Sequence, residues 1–318
     1  MNLRPPGPKP GALPSCATAM MRILGIVGVQ VCICVPIIVF QFCKGKEFFS
    51  KEYWGYALRI GIPIVPHYLS GIILNQGDRI MIDKMVGKTE VALYGLAYSI
   101  GMLVQLFISG MNSALTPWMY SKIKKGDIRS MRKVLQLLSI VVVGIAVALM
   151  LISPELVLIF GSPKYREAVY VIPPVAASVF FIFIYNILSM PQFYYEKTQF
   201  LMAASMAAAG ANVVLNFIFI RLFGYIAAGY TTLACYMLYS VGHYIVSKRI
   251  LVNEGIQENL MNPGFLLACS VFLIGASIIC NLIFPYRILR YAILLASAGL
   301  VFWKKELLLK TMADIRKK

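Results

Sequence analysis

The sequence predicts an all-α, polytopic membrane protein of about nine transmembrane helices, and three observations carry that expectation. The 318 residues are 59% hydrophobic and 14% charged, with a mean hydropathy of +0.76, whereas a soluble domain holds about a quarter charged residues. Apolar runs recur along the whole chain at about twenty residues, the length that crosses a hydrocarbon core about 30 Å thick. The formal charge is +17, from 30 Lys+Arg against 13 Asp+Glu, and the excess gathers on alternate loops.

Taken in order, residues 1–18 (MNLRPPGPKPGALPSCAT) are rich in proline and glycine. They lack the succession of basic region, apolar core and small-residue cleavage site that makes a signal peptide, so they read as an unstructured leader or a truncation scar. Spans follow at 23–42, 54–76, 90–116, 134–153, 168–190, 199–220, 224–247, 264–284 and, shorter, 288–303. Tyr53, Trp54, Trp118, Tyr120, Tyr194, Tyr195 and Trp303 sit near span ends, where interfacial anchors belong. With the loop 43–52 placed in the cytoplasm, eighteen Lys and Arg fall on that side and eight on the other. The positive-inside rule then predicts a cytoplasmic carboxy terminus with a basic tail at 304–318. An odd number of spans puts the amino terminus outside, a pattern that points to a partial chain.

The charge excess does not indicate nucleic acid, because no soluble basic face or motif accompanies it. Seven cysteines, mostly within apolar helices, show no CxxC spacing and no histidine cluster, so they predict neither zinc nor a disulfide framework. No P-loop, GxSxG elbow or HExxH motif is present, and carboxylates are sparse in the spans, so neither catalysis nor a cofactor is expected.

Polar residues inside the spans carry the functional expectation. Tyr94, Tyr98, Gly101, Gln105, Ser109, Asn112 and Thr116 recur every three or four residues, the spacing of one helical face. Two readings fit such a stripe: it binds helices to one another, or it lines a watery passage. In 54–76, Arg59, Pro63, Pro66 and Ser70 share a narrow sector with His67 at its edge. Arg59 either snorkels to lipid phosphates or faces a cavity, where its planar fork suits a phosphate group. The prolines remove backbone donors and should bend this helix. Asp78 and Arg79 sit at its far end, where they are candidates, with His67, for gating or ion coupling. Ser205, Ala209, Asn212 and Asn216 share a face of 199–220 flanked by small residues, which favours close helix packing.

The segments GIPIVPHYLSGIILNQGDRIMIDKMVG (from Gly61) and ALYGLAYSIGMLVQLFISGMNSALTPWMYSKIKKGD resemble polysaccharide-export flippases of the O-antigen type, within the multidrug/oligosaccharidyl-lipid/polysaccharide superfamily. Later stretches, SPKYREAVYVIPPVAAS and ANVVLNFIFIRLFGYIAAGYTTLACY, resemble the same family in the same order. The resemblance covers roughly residues 20–305 and implies a MATE-like transporter of two six-helix lobes around a central cavity. On it, residues 19–52 are the last helix of the first lobe with a cytoplasmic linker, 53–250 the core of the second lobe, and 251–303 additional helices. It also implies movement of an undecaprenyl-pyrophosphate-linked oligosaccharide across a bacterial inner membrane, alongside a polysaccharide polymerase and a chain-length regulator. Arg59, Ser70, Tyr94, Tyr98, Gln105, Asn112, Asn212 and Asn216 are then the expected substrate-binding residues, turned toward a shared hollow. Two alternatives stand beside this: a drug or organic-cation extruder, which predicts an acidic group in the cavity, and a non-transporting fragment that packs against a partner lobe.

Overall fold

A computed structural model describes residues 15–45 and 49–303. Most of the leader and the tail 304–318 lie outside the described residues. The chain divides into two compact units, residues 1–59 and 60–318. The first contains α1 (Ser15–Gly45), whose stretch Leu24–Gly45 is long and apolar enough to cross a membrane, and the opening turns of α2 (Lys51–Met85).

The second unit continues α2 and adds α3 (Lys88–Gly101), α4 (Leu103–Lys124), α5 (Ile128–Phe160), a 3-10 helix (Pro163–Val171), α6 (Ile172–Tyr194), α7 (Thr198–Phe223), α8 (Ala227–Asn253), α9 (Pro263–Ile283) and α10 (Arg287–Trp303). Short connections join successive helices. The centre is α6, apolar on every face and buried without interruption from Ile172 to Ile184, as a helix walled in by others must be. Against it pack α3, α4, α5, α8 and α9, with α7 lying along α8. Helix α2 reaches its neighbours through side chains rather than close backbone approach. Its buried positions, Pro63, Ser70, Leu74, Asp78 and Ile82, trace one helical face.

The count of spans is not reached, and one expectation is corrected. Nine spans were anticipated, but among the described residues six helices are long and apolar enough to cross a membrane, or seven if α3 and α4 together make one crossing. The regions that fall short are 224–247 and 288–303. Helix α8 carries Thr231, Thr232, Tyr236, Tyr239, Ser240, His243 and Ser247 toward the interior, which lowers its apolarity although it is long. Helix α10 has 17 residues. The correction concerns 90–116, which is two helices bent by 40° at Met102 rather than one rod. Gly101 sets the break: a Cβ there would stand 2.6 Å from Val175 Cγ1 of α6. Only glycine permits that approach, and glycine is also a weak helix former. After it, the Gln105 amide closes a tight turn onto the Met102 carbonyl at 2.9 Å. By contrast α2 remains helical through both prolines.

Candidate functional site: a buried carboxylate joining four helices

Four helices deliver polar groups to one depth. Asp78 lies seven residues before the end of α2 at Met85, and Asn216 seven before the end of α7 at Phe223. Tyr94 is six residues past the start of α3 at Lys88, and Thr232 five past the start of α8 at Ala227. At about 1.5 Å per residue, all four meet roughly 10 Å from the same end of the bundle.

There Asp78, fully buried, accepts three hydrogen bonds. Tyr94 Oη donates to Oδ2 at 2.5 Å, Thr232 Oγ1 to the same oxygen at 2.6 Å, and Asn216 Nδ2 to Oδ1 at 2.5 Å. Asn216 also donates to Asn212 Oδ1 at 3.2 Å and accepts from Thr231 Oγ1. Among the described residues, no Lys, Arg or His nitrogen lies within 4 Å of the carboxylate. Dipolar donors therefore replace the water lost on burial, each such bond to a carboxylate contributing roughly 1.5–3 kcal/mol.

A second layer extends this cluster along the bundle. Tyr98 Oη donates to Asn75 Oδ1 at 2.8 Å, and Tyr236 Oη reaches the same atom at 3.4 Å. The ring of Tyr185 stacks on Tyr236 with centroids 6.3 Å apart and lies 4.5 Å from Tyr239. Tyr239 Oη is 3.1 Å from His67 Nδ1. Beyond it, His243 Nδ1 pairs with Gln192 Nε2 at 2.8 Å, while His243 Nε2, Gln192 Oε1 and Ser247 Oγ are buried without partners.

The residues singled out from sequence thus separate into groups. Asp78, Tyr94, Tyr98, Asn212 and Asn216 come together, and Ser70 is buried nearby on the same face of α2, its hydroxyl donating to the Pro66 carbonyl at 2.7 Å. These side chains meet in a filled interior rather than in an open hollow. The bend at Met102 explains the difference. It leaves Tyr94 and Tyr98 facing the core, while Gln105 and Asn112 on α4 are half-buried and Ser109 is exposed. Gln105 Oε1 is shielded yet has no partner. Arg59 is exposed. Arg79 is half-buried, with its guanidinium 5.3 Å from the centre of the Tyr98 ring and Nη1 donating to Gln76 Oε1 at 3.2 Å.

Asp78 falls just beyond the span 54–76 as read from the sequence, although the helix that carries it runs further. Apolarity fades at Gln76, yet α2 continues to Met85. Extending the register Ser70, Leu74, Asp78, Ile82 would have put the carboxylate inside. Gln192, at the end of an apolar helix, gave no usable signal, whereas His243 lies on the polar face Tyr236, Tyr239, Ser240, His243 and Ser247, whose helical spacing could have marked it.

Residues 16–124, a third of the chain, match the family described as polysaccharide biosynthesis protein. The match takes in α1 to α4 and hence Asp78, Tyr94 and Tyr98. The chain is 28% identical over 172 residues to Lsg locus putative protein 1 of Haemophilus influenzae, an alignment covering 51% of this chain and 41% of that protein. It is 29% identical over 191 residues to an uncharacterized membrane protein of the same organism, covering 56% and 46%. The chain spans less than half the length of the curated relatives it matches. No solved structure matches. The chain is a helical, multi-pass membrane protein similar to the polysaccharide-biosynthesis family.

Proposed function

We propose that the chain is the second lobe of a flippase for undecaprenyl-pyrophosphate-linked oligosaccharide in a bacterial inner membrane, its carboxy terminus in the cytoplasm, working by alternating access with a partner lobe. The observation that carries the reading is the Asp78 cluster. One carboxylate ties α2 to α3, α7 and α8, and α2 otherwise meets its neighbours through side chains. A helix held this way can shift when the cluster opens, and protonation or a cation at Asp78 is the simplest event that would open it. In this reading Asp78, with His67 and Arg79 alongside, is the coupling element. Tyr94, Tyr98, Ser70, Asn212 and Asn216 act through it rather than on the sugar. Gln105 and Asn112 on the more open helix α4 contact the oligosaccharide. The guanidinium of Arg59 offsets the pyrophosphate charge.

Similarity to polysaccharide-biosynthesis proteins supports the substrate class, and a transporter rather than an enzyme is the corresponding activity. The extruder alternative deserves weighing because Asp78 is an intramembrane acid, so the positive charge of Arg59 no longer decides between cargoes by sign. Both oxygens of Asp78 are nevertheless occupied inside the closed lobe, so this acid does not face a cavity where a cationic drug would meet it.

The test is export of surface polysaccharide in a bacterium lacking its own flippase, with the chain supplied together with an amino-terminal lobe. Arg59→Ala and Asp78→Asn, at wild-type protein levels, are each expected to reduce export. In nanodiscs the chain is expected to bind lipid-linked oligosaccharide more tightly than undecaprenol. Equal affinity for the two, or undiminished export by both variants, would overturn the proposal.

A further inference from the structure

At the end of the bundle nearest Asp78, but outside its cluster, the last turns of α5, the 3-10 helix and the α9–α10 turn border an open cavity of about 600 Å³. Its walls include Glu155, Arg166, Tyr170, Phe284, Arg287 and Arg290. Arg290 is 3% exposed. Its Nη1 and Nη2 each donate to a Glu155 carboxylate oxygen at 2.8 Å, and Nη1 also donates to the Leu151 carbonyl at 2.7 Å. This leaves Nε buried without a partner. Glu155 is thereby committed to Arg290. Among the described residues, neither Arg166 nor Arg287 has a carboxylate within 4 Å, and the remaining acid of the lining is Glu167.

The surroundings narrow the ligand. Tyr170 and Phe284 pack with ring centroids 5.9 Å apart, giving the cavity an aromatic wall. Leu158, which also lines it, is half exposed, and Ile288 beside Arg287 is 87% exposed. Guanidiniums without a carboxylate partner, one of them 5.6 Å from the centre of the Tyr291 ring, next to uncovered aliphatic side chains suit a molecule that is anionic at one end and greasy at the other. We infer that this cavity binds the phosphate of an anionic lipid headgroup. Arg166 and Arg287 supply the charge, Arg290 is held in place by Glu155, and the acyl chains lie against Leu158 and Ile288. Neither the oligosaccharide reading nor the Asp78 cluster is needed for this site.

The experiment is native mass spectrometry of the whole chain in detergent, titrated with phosphatidylglycerol, with phosphatidylcholine of the same acyl chains, and with inorganic phosphate. Phosphatidylglycerol is expected to bind about ten-fold more tightly than phosphatidylcholine, and Arg166→Gln with Arg287→Gln to remove that preference. The lysine pair, Arg166→Lys with Arg287→Lys, should keep most of it. If the double glutamine variant does not fold, the two single variants are read instead, each with part of the loss. Equal binding of the two lipids, or an undiminished preference in the glutamine variants, overturns the site. Inorganic phosphate binding as tightly as phosphatidylglycerol overturns the assignment to a lipid.

Discussion

Asn216 of α7 donates its side-chain amide to Asp78 of α2 at 2.5 Å across 138 positions of sequence. Neither residue has a solvent-exposed surface, so neither can exchange its partner for water while the lobe stays closed. Removing the carboxylate should therefore cost more than a single hydrogen bond. Asp78→Ala strands three donors, each costing roughly 1–3 kcal/mol when buried and unpaired, and is expected to lower the apparent Tm in detergent by several degrees. Asp78→Asn keeps one acceptor oxygen and should fall between that variant and wild type. A wild-type melting curve for Asp78→Ala would show that the cluster does not hold α2.

Tyr94 and Thr232 donate to the same oxygen of Asp78. Tyr94→Phe and Thr232→Val should each destabilise by about 1.5–3 kcal/mol, the range for a bond to a charged group. Because the two donors share an acceptor, the double variant should depart from the sum of the singles by about 0.5 kcal/mol or more. Strict additivity in a double-mutant cycle would mean that the two bonds are independent.

Gly101 marks a close approach of α3 to α6. Gly101→Ala places a methyl 2.6 Å from Val175 Cγ1 and 2.9 Å from its Cβ, and such overpacking costs about 1–3 kcal/mol. Adding Val175→Ala should return much of the loss. A second substitution that only deepens the defect would assign the effect to helix propensity or backbone geometry instead.

Glu155 and Arg290 form a bidentate pair between α5 and α10. Glu155→Ala leaves a guanidinium buried and uncompensated, a loss of about 3–5 kcal/mol. Replacing both residues with leucine removes the stranded charge, and the double variant is expected to unfold at a higher temperature than Glu155→Ala alone. Equal melting of the two would place Arg290 in contact with water.

Much of the architecture was legible in the chain because hydropathy is a local property. Each of the nine predicted spans falls on a helix or, at 90–116, on a bent pair. The face Ser205, Ala209, Asn212, Asn216 is read directly from spacing and is buried in the structure. The run Gly229, Tyr230, Thr231, Thr232 is small and hydroxylated, but its service to a carboxylate on another helix is not visible in the sequence. The bend at Met102 was not read from the sequence, since Gly101 beside it falls within the same helical period as the rest of the stripe.

The sequence by itself determined that this chain folds as membrane-spanning helices, which faces of several of them are polar, and which family it resembles. These follow from composition and from a helical period that any stretch of twenty residues displays. Only the tertiary structure decided that Asp78 is interior, that Tyr94, Asn216 and Thr232 are its partners, and that Glu155 neutralises Arg290. A hydrogen bond depends on distances of a few ångströms between atoms that the chain separates by 16 to 154 residues, and those distances are set by how whole helices pack around α6.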